Sequence, residues 1–143
     1  MDITKSFVYL CTNSFVLKEI HMANPTDSEL EILNVLWQCG PSTVRFVNEQ
    51  LNKEKDTGYT TTLKIMQIMK EKGLVKRNEE ARSHVYHPEV VKKDTQKKLI
   101  NKLLSSAFEG SASKMIMETL GNHTTSKEEL EKIKELINEL ETK

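Results

Sequence analysis

Cysteine, proline, glycine and aromatic side chains are all scarce in this 143-residue chain, and each scarcity excludes something. Two cysteines, Cys11 and Cys39, cannot build a multi-bridge framework, so a reduced, cytoplasmic compartment is expected. Three prolines, five glycines and 6% aromatic residues are too few for a turn-rich β-sandwich and favour helices. No run approaches the roughly 18 consecutive apolar residues that a membrane span requires. Nor is there an excess of charge. The 21 Lys and Arg balance 21 Asp and Glu, which argues against a histone-like polyanion binder and leaves a local basic face possible. No Gly-rich phosphate loop, metallopeptidase motif or nucleophile signature occurs, so neither catalysis nor a cofactor is expected.

What is present is a polar but foldable mixture, 37% hydrophobic and 29% charged, enough for one compact domain or two small ones. The first 21 residues stand apart. Their apolar patch Phe7 to Cys11 is split from Phe15-Val16-Leu17 by Thr12-Asn13-Ser14, and Asp2 offsets Lys5, which does not suit a signal peptide. Residues 1–21 are expected to be a non-native or poorly ordered extension, with Met22 as the physiological start.

The remaining chain divides into a domain over 22–88 and another over 89–143. Thr26-Asp27-Ser28-Glu29 has the form of a capping box, and Leu30, Ile32, Leu33, Leu36 and Trp37 follow at helical spacing until Gly40-Pro41. Ser42 can cap a second helix with Val44, Val47 and Leu51 inward. A third begins near Tyr59-Thr60-Thr61-Thr62 and ends at Gly73. Leu74 to Arg77 and His84 to His87 read as two strands joined by a polar turn. Three helices followed by a β-hairpin make a winged helix-turn-helix, so the fold class is mainly α.

On the third helix, about 100° per residue places Thr62, Ile65, Met66 and Met69 in one sector. Thr61, Lys64, Gln67 and Ile68 lie opposite, with Thr60 at the helix mouth. Hydroxyls and backbone N–H groups at a helix N-terminus suit phosphate, Gln can read a base edge, and Ile can meet a thymine methyl. The charge map agrees. Residues 22–58 carry 3 basic and 6 acidic groups, whereas residues 59–88 carry 6 basic and 3 acidic. Lys76 and Arg77 on the first strand and Arg82-Ser83-His84 in the turn complete a candidate DNA-binding set suited to phosphate or minor-groove contact.

The 89–143 region is amphipathic: a helix from Glu89 to Phe108, a short one ending at Gly121, and a last one opened by the capping box Ser126 to Glu129. Three such helices alone would expose a large apolar face, and a second copy of the chain covers it economically. The expected dimer seam is Leu99, Leu103, Phe108, Met115, Ile116, Leu120, Leu130, Ile133, Ile137 and Leu140. Other features have plainer explanations. His84 and His87, three apart on an extended strand, point to opposite faces and make no metal site. Trp37 is expected as a core anchor, and Met66, Met69, Met115 and Met117 as packing residues. Lys92, Lys93, Lys97, Lys98 and Lys102 form a basic run that suits either phosphate or solvent.

Leu30 to Trp37, Tyr59-Thr60-Thr61 through Met69-Lys70-Glu71-Lys72-Gly73-Leu74-Val75, and Arg82 to Tyr86-His87-Pro88 resemble the BlaI/MecI/CopY family of bacterial transcriptional repressors, in layout from about Asn24 to Leu140. The resemblance implies a homodimer held by its C-terminal helices, each winged helix reading half of a dyad operator. It implies control of genes for β-lactam resistance or a related stress, with release by a membrane sensor metallopeptidase or a downstream protease. No cysteine follows Cys39, so the Cys-x-Cys copper ligands of one branch are absent. Ile68 stands where members often carry Arg, and the Asn-Phe cleavage site of the β-lactam branch has no match around Phe108 to Leu120. The alternative from another class is a winged-helix protein-interaction module that does not bind DNA.

Overall fold

A computed structural model describes residues 24–80 and 82–143, so the extension assigned to residues 1–21 lies outside the described residues. Helix α1 spans Asp27–Cys39. The capping box forms as the sequence indicates: the Thr26 hydroxyl accepts from the Glu29 N–H at 3.3 Å, and the Glu29 carboxylate accepts from the Thr26 N–H at 2.9 Å. Two otherwise orphaned donors are thereby satisfied. Gly40 ends the helix at φ 81, donating its N–H to the Leu36 carbonyl.

The cap of the second helix is one residue later than the sequence suggests. Thr43, not Ser42, caps α2 (Val44–Leu51) by accepting from the Phe46 N–H. Ser42 instead donates its hydroxyl to the Gly40 carbonyl, and Ser42–Thr43 form a short strand, β1, that the sequence reading did not anticipate. Helix α3 (Tyr59–Glu71) closes in a Schellman motif: Leu74 N–H donates to Met69 O, Gly73 N–H to Lys70 O, and Gly73 takes the left-handed φ of 77. Strands β2 (Val75–Asn78) and β3 (Val85–Pro88) follow.

The sheet is antiparallel in the order β1-β3-β2, with Ser42 opposite Tyr86 on one side and Arg77 opposite Tyr86 on the other. Three helices and this sheet constitute the winged helix. Its core is Ile32, Leu33, Leu36, Val44, Val47, Met66, Met69, Leu74, Val75 and Tyr86. Burial of each large side chain contributes about 1.5–3 kcal/mol relative to exposure. Trp37 packs against this core as expected and donates its indole N–H to the Val90 carbonyl at 3.0 Å.

That bond helps explain a second difference. The helix expected from Glu89 begins only at Lys92, as α4 (Lys92–Ala107), because Glu89 N–H donates to Leu74 O and Val90 O is taken by Trp37. The chain divides into two compact units between Lys98 and Leu99. The second holds the end of α4, then α5 (Ala112–Asn122) and α6 (Lys127–Glu141), the latter opened by the Ser126–Glu129 capping box. No residue from Leu99 onward is buried.

Candidate nucleic-acid interface

Helix α3 can present a fixed face because its other side is immobilised. Thr62, Met66 and Met69 are fully buried, while Thr60, Thr61, Lys64 and Gln67 are exposed and Ile68 is half-buried. Gly58 at the N-cap offers no side-chain acceptor, so the N–H groups of the first turn have no capping side chain.

A buried polar network sets where that helix begins. The Asn48 amide on α2 donates to the Thr57 carbonyl at 2.7 Å and to the Thr62 hydroxyl at 2.9 Å, and its oxygen accepts from Asn52. The Asn52 oxygen in turn accepts from the Thr57 N–H. One side chain thus joins α2, the loop and the first turn of α3, fixing the helix-turn-helix geometry. Asn48→Ala would leave the Thr57 carbonyl without this donor inside the protein. The expected cost is about 1–3 kcal/mol in a denaturant titration, with Asn48→Asp unable to replace the amide donation.

At the far end of α3, Lys72 reaches the Glu29 carboxylate at 2.6 Å. Glu29 is only 3% exposed. Burial pushes its carboxyl up, but the Lys72 ammonium and the Thr26 N–H together outweigh burial and hold it below its ordinary range. Helix α3 is therefore tied at both ends, by hydrogen bonds from the Asn48 amide at its start and by an ion pair at its finish.

In the hairpin, Arg82, Ser83 and His84 are exposed in the turn and Lys76 is exposed opposite half-buried His87. Arg77 differs from its neighbours. It lies across from buried Tyr86, and its guanidinium donates to Glu79 Oε1 at 2.7 Å; the same oxygen accepts from Lys70 at 3.0 Å. Hydrogen bonds from Arg77 and then Lys70 push the Glu79 carboxyl down to about 2, and Glu79 raises Arg77 further above its ordinary value. Of the six cations between residues 59 and 88, Lys72, Lys70 and Arg77 are thus ion-paired. Lys64, Lys76 and Arg82 have no ion pair among the described residues.

Two flanking groups escaped the sequence reading. Arg45 on α2 and Tyr59 at the mouth of α3 line an open depression of about 480 Å³ with Asn48 and Glu49. Arg45 is paired only loosely with Glu49, at 3.6 Å, with its side chain 85% exposed. The signal that could have found it is positional: in a helix-turn-helix the helix before the recognition helix crosses the nucleic-acid backbone. Among the described residues no cluster of three His, Cys, Asp or Glu side chains could hold a metal ion.

A winged helix whose cations on the third helix and the wing include Lys64, Lys76 and Arg82, without ion pairs among the described residues, defines a class, the winged-helix regulators. Residues 25–139 match the family described as penicillinase repressor, and the chain belongs to that family, one of transcriptional repressors and not of enzymes. The resemblance carried by the Tyr59-Thr60-Thr61 segment therefore holds. The chain is 24% identical over 114 residues to the penicillinase repressor of Bacillus licheniformis, covering 80% of this chain and 89% of that protein. It is 36% identical over 63 residues to the transcriptional regulator BlaI of Mycobacterium tuberculosis, covering 43% of this chain and 46% of that one. Among solved structures, the B. licheniformis BlaI monomer in complex with the blaP half-operator shares 25% identity at a TM-score of 0.45, covering 51% of this chain and 89% of that one.

Proposed function

We propose that this repressor acts as a homodimer on a dyad operator, each α3 lying in the major groove and each wing tip on the neighbouring backbone or minor groove. The observation that carries this is the two-sidedness of α3: Thr62, Met66 and Met69 wholly buried, Thr60, Thr61, Lys64 and Gln67 exposed. Uncapped N–H groups and the threonine hydroxyls suit phosphate, and Lys64 and Gln67 suit phosphate and a base edge. Lys76, Arg82, Ser83 and His84 extend the contact along the hairpin. Arg77 and half-buried Ile68 contribute at its margin.

The dimer is supported by what the second unit leaves uncovered. Leu103, Ile116, Leu130, Ile137 and Leu140 are between 37% and 61% exposed, while Leu99, Phe108, Met115, Leu120 and Ile133 are half-buried. Leu130, Ile133, Ile137 and Leu140 fall on one stripe of α6, the pattern of a helix facing another helix. Release falls to a membrane sensor metallopeptidase or a downstream protease. The exposed α4–α5 turn, with Glu109 at φ 53 and Gly110 at φ 78, interrupts the arm where a cut would separate the reading head from most of the seam.

The test is a titration of the full chain against the DNA upstream of its own gene and against a random-sequence duplex at two salt concentrations. Specific, salt-dependent binding is expected, and absence of binding to either duplex would replace DNA by a protein as the partner of this face. Lys64→Ala or Arg82→Ala is expected to reduce the salt slope by about one and weaken binding to both duplexes, with sedimentation unchanged. Loss of the dimer in either variant would show that the face is misplaced.

A further inference from the structure

We propose that Glu79 is a built-in competitor of DNA phosphate, holding Lys70 and Arg77 off non-specific DNA until a correctly docked phosphate displaces it. This rests on the DNA reading above. A single carboxylate oxygen, Glu79 Oε1, accepts from Lys70 Nζ at the end of α3 at 3.0 Å and from Arg77 Nη2 on β2 at 2.7 Å. That is the contact a phosphate oxygen would make with the same two donors, because both anions present equivalent acceptor oxygens to an ammonium and a guanidinium.

The geometry allows exchange. Glu79 is not part of the core, its side chain being 62% exposed, and those of Lys70 and Arg77 are 40% and 24% exposed. The ring of charge is therefore accessible to a second anion. Asn78 fixes where Glu79 projects, its side-chain oxygen accepting from the Glu80 N–H at 3.0 Å. Arg77 is itself oriented, since it shares the sheet face of buried Tyr86. Glu79 stays ionised at any physiological pH, so acid does not open the clamp and a competing anion does.

The consequence concerns discrimination. With Glu79 in place the trio carries one net positive charge in place of two, and non-specific affinity grows with the number of phosphates neutralised. At a cognate site, contacts of α3 with base edges hold the duplex in register, and the adjacent phosphate can displace the carboxylate. At a non-cognate site the register is not held, and the carboxylate remains where it repels phosphate. Glu79 thus acts on specificity by lowering the background more than the specific complex.

The test uses the full chain with Glu79→Gln, which keeps the shape and removes the charge, and with Glu80→Gln as a neighbour that has no ion pair among the described residues. Affinity is measured across a salt series on a random-sequence duplex and on the gene's own upstream DNA. For Glu79→Gln, binding to the random duplex is expected to tighten about tenfold at low salt, with the slope of log K against log salt steeper by up to about two. Binding to the upstream DNA should tighten less, so the ratio of the two affinities falls, and Glu80→Gln should change the slope by less than half as much. Glu79→Asp, which keeps the charge on a shorter arm and so weakens its hold on the two cations, should give an intermediate slope and serves if the Gln variant melts below the assay temperature. Unchanged or shallower slopes in both Glu79 variants would make Glu79 a mere brace between α3 and the wing and overturn the proposal. Wild-type protein that binds neither duplex would overturn the DNA reading with it, whereas wild-type binding with unaltered variant slopes removes this proposal alone.

Discussion

Leu103→Asp is expected to convert the proposed dimer to a monomer and to weaken binding to the proposed operator by about two to four orders of magnitude, the range over which a second linked contact raises avidity. Leu103 is 48% exposed within one chain, so aspartate there meets solvent in the monomer and costs the chain little beyond helix propensity. In the dimer the same carboxylate would enter an apolar seam without a partner, where an unpaired charge is strongly unfavourable. Ile133→Asp gives a second check on α6, at a larger cost to the single chain because Ile133 is already half-buried there. Sedimentation at micromolar concentration reads the first effect and a DNA titration the second, while the melting of the winged helix should stay as it was. If both variants sediment as the wild type does, the proposed seam is refuted.

The second large effect is on stability. Glu29→Ala removes the acceptor of the Thr26 N–H and the partner of Lys72 together. Loss of a helix cap costs about 1 kcal/mol, and breaking a buried ion pair costs about 3–5 kcal/mol. Lys72 can partly return to water, because its side chain is 31% exposed, so a total of about 2–4 kcal/mol is expected. In a domain this small that lowers the melting temperature by about 8–32 °C. Glu29→Gln, which keeps an acceptor but not the charge, should lose about half as much.

The same carboxylate sets a pH dependence. The Glu29 carboxyl titrates lower in the folded chain than its ordinary value, so its contribution is complete above the ordinary carboxylate range and fades as pH falls through the folded value. The wild type should therefore lose stability on acidification more steeply than Glu29→Gln in paired thermal melts. Parallel acid profiles would show that the Lys72 pair contributes little.

Local chemistry was legible in the sequence, and non-local chemistry was not. The Thr26–Glu29 and Ser126–Glu129 boxes and the Gly73 stop depend on residues within one helical turn, and each forms where the sequence places it. The inward side of α3 follows from helical periodicity alone. Strand β1 was invisible because two residues carry no periodicity and its existence depends on Tyr86 and Val85, more than 40 positions away. Ser42 and Thr43 are both competent caps, and only that pairing decides between them. The start of α4 was misplaced for a similar reason, since Leu74 and Trp37 claim the backbone of Glu89 and Val90.

The candidate DNA face shows the same division. Which α3 residues point outward was readable, but which cations are available was not. Counting charge along the chain treats Lys64 and Lys72 alike, although the fold commits Lys72 to Glu29 and leaves Lys64 without an ion pair among the described residues. Asn48 was overlooked because a lone Asn in a helix carries no sequence signal until Thr57 and Thr62 are brought to it.

Trp37 gives the molecule an optical property. It is the sole tryptophan of the chain, and its indole N–H is bonded to the Val90 carbonyl, just where the winged helix passes into α4. All tryptophan emission therefore arises beside that junction. Any event that peels residues 88–91 from the core, whether a ligand, a cut or a strained complex, is written directly into the colour and intensity of the protein's own fluorescence.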